Sequence, residues 1–455
     1  MYDILITGGM IPDFTTKTFV KANVAVKDGK IEAVLPEDGF VEAARVIDAS
    51  GKVVSPGFID MHSHEEVFPD GSTEFDVSKY YLRQGITTGI CGNCGIEFNP
   101  VSYVKKVYET NGGGYINYVP LAGYNSFRDE YGFGWYGDVP ADVRAEIIEK
   151  LRAELEDGAW GFSFGLEYCP GISTEEMTDA VMALKEYDPL ISIHFRADTD
   201  KCLDSVHEIA DLSKVTGCRV ELSHIGSLAA VGGNMRPSLD IMNEEMSANP
   251  RLGFDVYPYN AFCTEIGSAA FDMDWRAKWN CGYDIIMPLC EPYMGMRCDE
   301  ALYNKILKEQ PEANVVAFAL DEADVRLAIA DPNGFYGTDG GMFPGMGSHP
   351  RTAGSFPRIL GKYVREEKLL PLIDALEKLT IRPAAFVGLP TKGDIRPGMD
   401  ADITIFDPDT ILDGATFLDT SLPNVGIDYV IVAGKVGCDH NELTGELGGE
   451  LILRN

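Results

Sequence analysis

The chain has 455 residues, 45% hydrophobic and 24% charged, which suits one large or two moderate domains of ordinary soluble composition. Its formal net charge of −33, with no basic patch to offset it, argues against a nucleic-acid partner. No apolar run is long enough to cross a bilayer, the opening "MYDILITGGMIPD" does not read as an export signal, and ten scattered cysteines suit free thiols in a reducing cytoplasm.

In chain order, residues 1–54 read as short strands and turns, with "ANVAVKDGKIEAV" forming a hairpin about Asp28-Gly29. From 55 to 390, short apolar runs alternate with helical stretches. The runs are "FIDMH", "ITTGIC", "INYVPLAG", "AWGFSFG", "ISIHF", "RVELSH", "LGFDVYP" and "FYGTD". Eight such runs separated by helices predict an α/β fold, a (β/α)₈ TIM-like barrel. Residues of about 260–332 fall between the seventh and eighth runs and read as an insertion that could cover the site. From 391 to 455 the strand rhythm returns in "DADITIFDP" and "VGIDYVIVAGKVG". The two chain ends are expected to form one β-sandwich domain with the barrel inserted between them.

Barrel strands present functional side chains at their C-terminal ends. The first run ends in His62-x-His64, whose imidazoles point the same way on a strand and can face one ion. The second leads to Cys91 and Cys94, the fifth carries His194, the sixth ends in His224 and the eighth in Asp339. Histidine, thiolate and carboxylate are zinc ligands. A lone strand-end histidine is more often structural, but four of the seven histidines gather at these ends. His207 reads as a surface or packing residue, His440 as structural, and His349 could touch substrate.

"CGNC" could also be a redox pair or half of a four-thiolate zinc site. No second Cys-x-x-Cys occurs, and a Gly- and Pro-containing loop follows instead of a helix. Cys94 is therefore expected to be a metal ligand and Cys91 a buried thiol.

Taken together, "GFIDMHSH", "GITTGICGNCG", "GAWGFSFGLEYCPG", "HFRAD", "ELSHIG", "DVYPY", "YGTDGG", "HPRTAGSFPRILG" and the tail "IRPGMDADITIFDP" resemble the amidohydrolase superfamily. The Asn-Cys-Gly and "HPR…GSFPR" elements resemble its N-acyl-D-amino-acid deacylase (D-aminoacylase) branch. Many superfamily members bridge two metals with a carbamylated lysine on the fourth strand, but "AWGFSFGLEY" has none. The resemblance implies that Cys94 takes that place and holds a tightly bound zinc with His194 and His224. It implies a second, optional metal at His62 and His64, and it makes Asp339 the catalytic aspartate. The branch has a lysine two positions after the sixth-strand histidine that helps bind the substrate's α-carboxylate. Here that position is Gly226.

The expected reaction is zinc-dependent hydrolysis of a linear N-acyl-D-amino acid, in which zinc acidifies water and polarises the amide carbonyl. Asp339 would accept the proton of the attacking water and return it to the leaving amine. Arg196, Tyr257, His349 and Arg351 are the candidate substrate contacts, and Arg358 reads as a structural ion pair. The alternatives are a cyclic-amide hydrolase of the dihydroorotase or hydantoinase kind, or a non-catalytic barrel relative. The expected partner is a small-molecule substrate, with neither nucleic acid nor membrane, and the oligomeric state stays open.

Overall fold

A computed structural model describes all residues except 65, 69–71, 273, 343–347 and 455. Eight parallel strands form the barrel: Phe58–Ser63, Ile86–Cys91, Asn117–Gly123, Gly161–Gly165, Leu190–His194, Arg219–Leu222, Leu252–Val256 and Phe335–Tyr336. They pair in chain order, and the eighth lies beside the first. Closure runs through loop backbone: Asp339 N donates to His62 O at 2.7 Å, and His64 N donates to Gly340 O at 2.8 Å.

The barrel strands read as near-continuous apolar runs because helices cover their outer faces. Nearly every strand residue is buried. Helices such as Cys202–Thr216 and Met235–Ala248 set an apolar stripe against them. Phe162, Phe164 and Phe254 are fully buried in the shared core, and each such ring contributes about 1.5–3 kcal/mol.

Two runs are shorter as strands than as apolar patterns. The sixth strand stops at Leu222 and the eighth at Tyr336, because His224 (φ 33°) and Asp339 (φ 49°) leave the extended region. The chemistry-bearing residues therefore sit on turns just past the ladder.

The chain ends meet in one nine-stranded sheet, in which Val53–Pro56 pairs antiparallel with Ile403–Phe406. Both ends contribute to one apolar core that includes Ile4, Val24, Val54, Ile403 and Ile431. The hairpin between Thr18–Lys27 and Lys30–Pro36 turns at Asp28 (φ 50°) and Gly29 (φ 76°), the positive-φ pair that a two-residue turn requires. Between the seventh and eighth barrel strands lies a small antiparallel sheet of Phe262–Glu265, Ile286–Pro288 and Asn314–Ala317. It has its own core around Ile266, Trp275 and Ile306, and the apolar run "NVVAFAL" belongs to it. Among the described residues no helix is long and apolar enough to cross a membrane.

Candidate metal and catalytic centre

Cys94 is presented by a turn that its neighbours make obligatory. Gly92 (φ 94°) and Gly95 (φ 76°) flank it, and a Cβ at either would lie 2.1 Å from Leu121 O or Asn125 Oδ1. The Asn93 amide donates to Ser63 O and Ile90 O at 3.0 and 2.8 Å and accepts from Ser192 Oγ at 2.6 Å. Cys94 is itself held at φ 59°. Cys94, His224 and Asp339 thus all occupy the left-handed region, a strained conformation that recurs at functional sites.

The Cys94 thiol lies 3.3 Å from His62 Nε2, 3.4 Å from His224 Nε2 and 3.7 Å from His194 Nδ1. Two ligands on a tetrahedral zinc, with bonds near 2.3 Å to sulfur and 2.0–2.1 Å to nitrogen, stand about 3.5 Å apart. The donor set therefore fits zinc in chemistry and in spacing. Burial alone would raise the Cys94 pKa, but His62, His224 and His194 hold it well below the usual thiol range. Cys91 faces the other way, with Ser63 Oγ at 3.1 Å and an apolar cluster of Phe75, Val107 and Tyr108 around it.

A second group shares Cys94 and His62 and adds His64 and Asp339. Asp339 Oδ1 lies 3.2 Å from His64 Nε2 and 3.6 Å from His62 Nε2. Its burial would favour the neutral acid. Arg351, His224, His64 and His62 outweigh that and keep the carboxyl well below its ordinary range, hence ionised.

The rings are oriented from behind. His62 Nδ1 is 3.3 Å from Asp255 Oδ2, and the same oxygen accepts from His224 N at 3.0 Å. His194 Nε2 is 3.1 Å from Glu167 Oε2. Such carboxylate partners fix the tautomer and leave the opposite nitrogen free for metal. Burial and the neighbouring Asp255 push the Glu221 carboxyl well up. Neither Glu167 nor Asp255 is singled out by the sequence reading, although each lies in a motif quoted there.

A cavity of about 270 Å³ opens onto this centre, lined in part by His64, Cys94, Tyr168, Asp339, His349 and Arg351. Arg351 Nη1 is 2.6 Å from Asp339 Oδ2, and its guanidinium rests over the Tyr257 ring at 4.9 Å. His349 Nδ1 accepts from Arg351 N at 3.0 Å, while burial and Arg351 hold the imidazole neutral.

Two expected substrate contacts lie elsewhere. Arg196 does not follow His194 into the site, because the fifth strand ends at His194 and strand alternation ends with it. Its guanidinium pairs with both Glu208 oxygens at 2.9 Å and donates to Ile172 O. Tyr257 is buried behind Arg351, with its hydroxyl 2.8 Å from Ser227 Oγ. Arg358 pairs with Asp413 at 3.0 Å, as a structural residue should. His207 is exposed on its helix.

The chain is 30% identical to an N-acyl-D-glutamate deacylase of Alcaligenes xylosoxydans xylosoxydans, over 95% of this chain and 93% of the relative. It belongs to the N-acyl-D-amino-acid deacylase family of amidohydrolases. An amidohydrolase family model matches residues 275–437. The D-aminoacylase of the same organism is 27% identical over the whole of this chain and 98% of its own. The fold matches a crystal structure of N-acyl-D-glutamate deacylase from Bordetella bronchiseptica, complexed with zinc and a phosphonate inhibitor that mimics the tetrahedral intermediate. The TM-score is 0.86, with 29% identity and 99% of each chain covered.

Proposed function

We propose that this chain hydrolyses the amide bond of N-acyl-D-amino acids. Cys94, His194 and His224 would hold a tightly bound zinc, and His62 and His64 beside Asp339 an optional second metal. The observation that carries the reading is a buried thiol ringed by three imidazoles, next to an ionised aspartate on the wall of a small-molecule cavity. Bound zinc supplies Lewis acidity, which polarises the amide carbonyl and acidifies water toward neutral pH.

The remaining steps fall to the protein. Asp339, ionised in the resting site, accepts the proton of the attacking water and passes it to the leaving nitrogen, which cannot depart as an anion. Arg351 serves two carboxylates in turn. At rest it neutralises Asp339, and when the substrate's α-carboxylate arrives it divides its hydrogen bonds between the two. Asp339 becomes more basic at the moment a proton must be taken. His349, neutral and tied to the Arg351 backbone, sets the position of that guanidinium. The same reading treats residues 1–54 and 391–455 as one β-domain around a barrel at 55–390.

The linear deacylase reading stands ahead of ring opening because the relatives at 27–30% identity carry linear deacylase names. Steady-state assays of N-acetyl-D- and N-acetyl-L-amino acids beside hydantoins, on protein of measured zinc content, test it. Turnover of the D-acyl compounds supports it. Turnover of hydantoins alone, or of none of them by zinc-loaded protein, refutes it.

A further inference from the structure

Two features of the cavity wall are not needed for the hydrolytic step. Phe98 and Trp135 line it and remain 37% and 38% exposed. Asp129 and Glu265 line it too, and among the described residues neither carboxylate has an ion pair or a side-chain hydrogen bond. Burial raises the Asp129 carboxyl, and burial together with Glu312 raises that of Glu265. Both carboxylates are solvent-exposed at the cavity mouth, and the charge of Arg128 only partly offsets the burial effect at Asp129. Arg128, next in sequence to Asp129, is committed to the Gly134 and Gly137 carbonyls and to Glu176. Among the described residues Arg351 is the only Lys or Arg lining the cavity, and Asp339 engages it. None of the residues outside the described set is Lys or Arg.

We infer that this outer wall selects N-acyl-D-amino acids whose side chain is positively charged. The inference rests on the deacylase reading and names the substrate class within it. A lysine- or arginine-like side chain can lay its aliphatic stem along the rings, where a cation is also attracted to the π face. Its charged end can then reach the two unpaired carboxylates, which gain the partner the protein does not supply. An apolar side chain would use the rings but cover both acids without pairing either. An acidic one would meet like charges with no cation of its own to bind. The substrate acted on by the Alcaligenes relative named above, an acyl-D-glutamate, is therefore not the one expected here.

The test compares kcat/KM of the zinc-loaded enzyme for N-acetyl-D-lysine, its uncharged counterpart N-acetyl-D-norleucine, and N-acetyl-D-glutamate. The same panel is run on Glu265→Gln, Asp129→Asn and the double variant, with zinc content measured on each. The expected order is lysine, then norleucine by about tenfold, then glutamate, with the lysine preference weakening as salt is added. Each single variant should shrink the lysine-to-norleucine ratio, and the double variant should bring it close to one. Norleucine equal to or better than lysine in the wild type, a preference for glutamate, or an unchanged ratio in the double variant overturns the inference while leaving the deacylase reading intact. Failure of the zinc-loaded enzyme on all three compounds overturns the deacylase reading and the inference together.

Discussion

Replacing Cys94 by alanine separates a metal centre from a chance gathering of polar side chains. The thiol lies within 3.7 Å of a ring nitrogen of each of His62, His194 and His224. Its removal leaves the tight position with two imidazoles, those of His194 and His224. Structural zinc sites bind with about 10–16 kcal/mol over four ligands, or about 3–4 kcal/mol for each. The expected loss is therefore about two to three powers of ten in affinity. Cys91→Ala is the matched control. Cys91 is equally buried but sits among Phe75, Val107 and Tyr108, so it should cost about 1 kcal/mol of stability with metal retained. The assay is zinc content by mass spectrometry after dialysis against a graded chelator, with thermal unfolding measured on the same samples. Equal metal loss in the two variants would point to a paired-cysteine site. Full zinc retention in Cys94→Ala would refute the assignment outright.

Asp339→Asn should keep zinc and lose turnover by at least about three powers of ten, because an amide fills the same space without relaying a proton; near-normal kcat would assign the proton to another group. Asp255→Asn, behind His62 and His224, should weaken metal binding by about 10–100-fold, read by chelator competition, and an unchanged affinity would make Asp255 a packing residue only. Arg351→Met should raise KM for a free N-acyl-D-amino acid far more than for its carboxamide, since only the acid loses a partner, whereas Arg196→Met should change neither. Equal effects of the two arginine changes would contradict the geometry.

What could be read from the sequence follows from how rare the residue types are. With seven histidines in the chain, four gathered at the ends of just three barrel strands form a pattern that needs a common cause. Carboxylates carry no such signal. Among 71 acidic residues nothing marks Glu167 or Asp255 until the fold sets one behind His194 and the other behind His62. Strand alternation failed for Arg196 because it holds only while the ladder lasts, and the fifth strand ends two residues earlier. The positive φ of Cys94, His224 and Asp339 was equally hidden, since glycine usually announces such positions and here the functional residues themselves occupy them. The barrel itself was legible because buried parallel strands leave continuous apolar runs. The small antiparallel sheet of the insertion was not, because its strands of three or four residues fall below what periodicity resolves.

Gly226 offers a test by addition instead of removal. The related branch places a lysine there to help bind the α-carboxylate, whereas in this chain Gly226 opens the short helix Gly226–Ala229 just after His224. A Cβ built on it meets only Val256 Cγ2, at an ordinary contact distance of 3.5 Å, and its φ lies outside the left-handed region. The backbone thus accepts a side chain that the sequence does not supply. If Arg351 carries the α-carboxylate alone, Gly226→Lys adds a second cation, and KM for a free N-acyl-D-amino acid should fall by about 3–10-fold, the scale of one further charge-assisted hydrogen bond in a partly buried site. The carboxamide should gain nothing. Combined with Arg351→Met, the new lysine should restore part of the lost discrimination between acid and amide. Protein that folds and keeps its zinc but shows no change for the acid would place the carboxylate away from the sixth strand. The related branch's manner of holding it would then not apply to this chain.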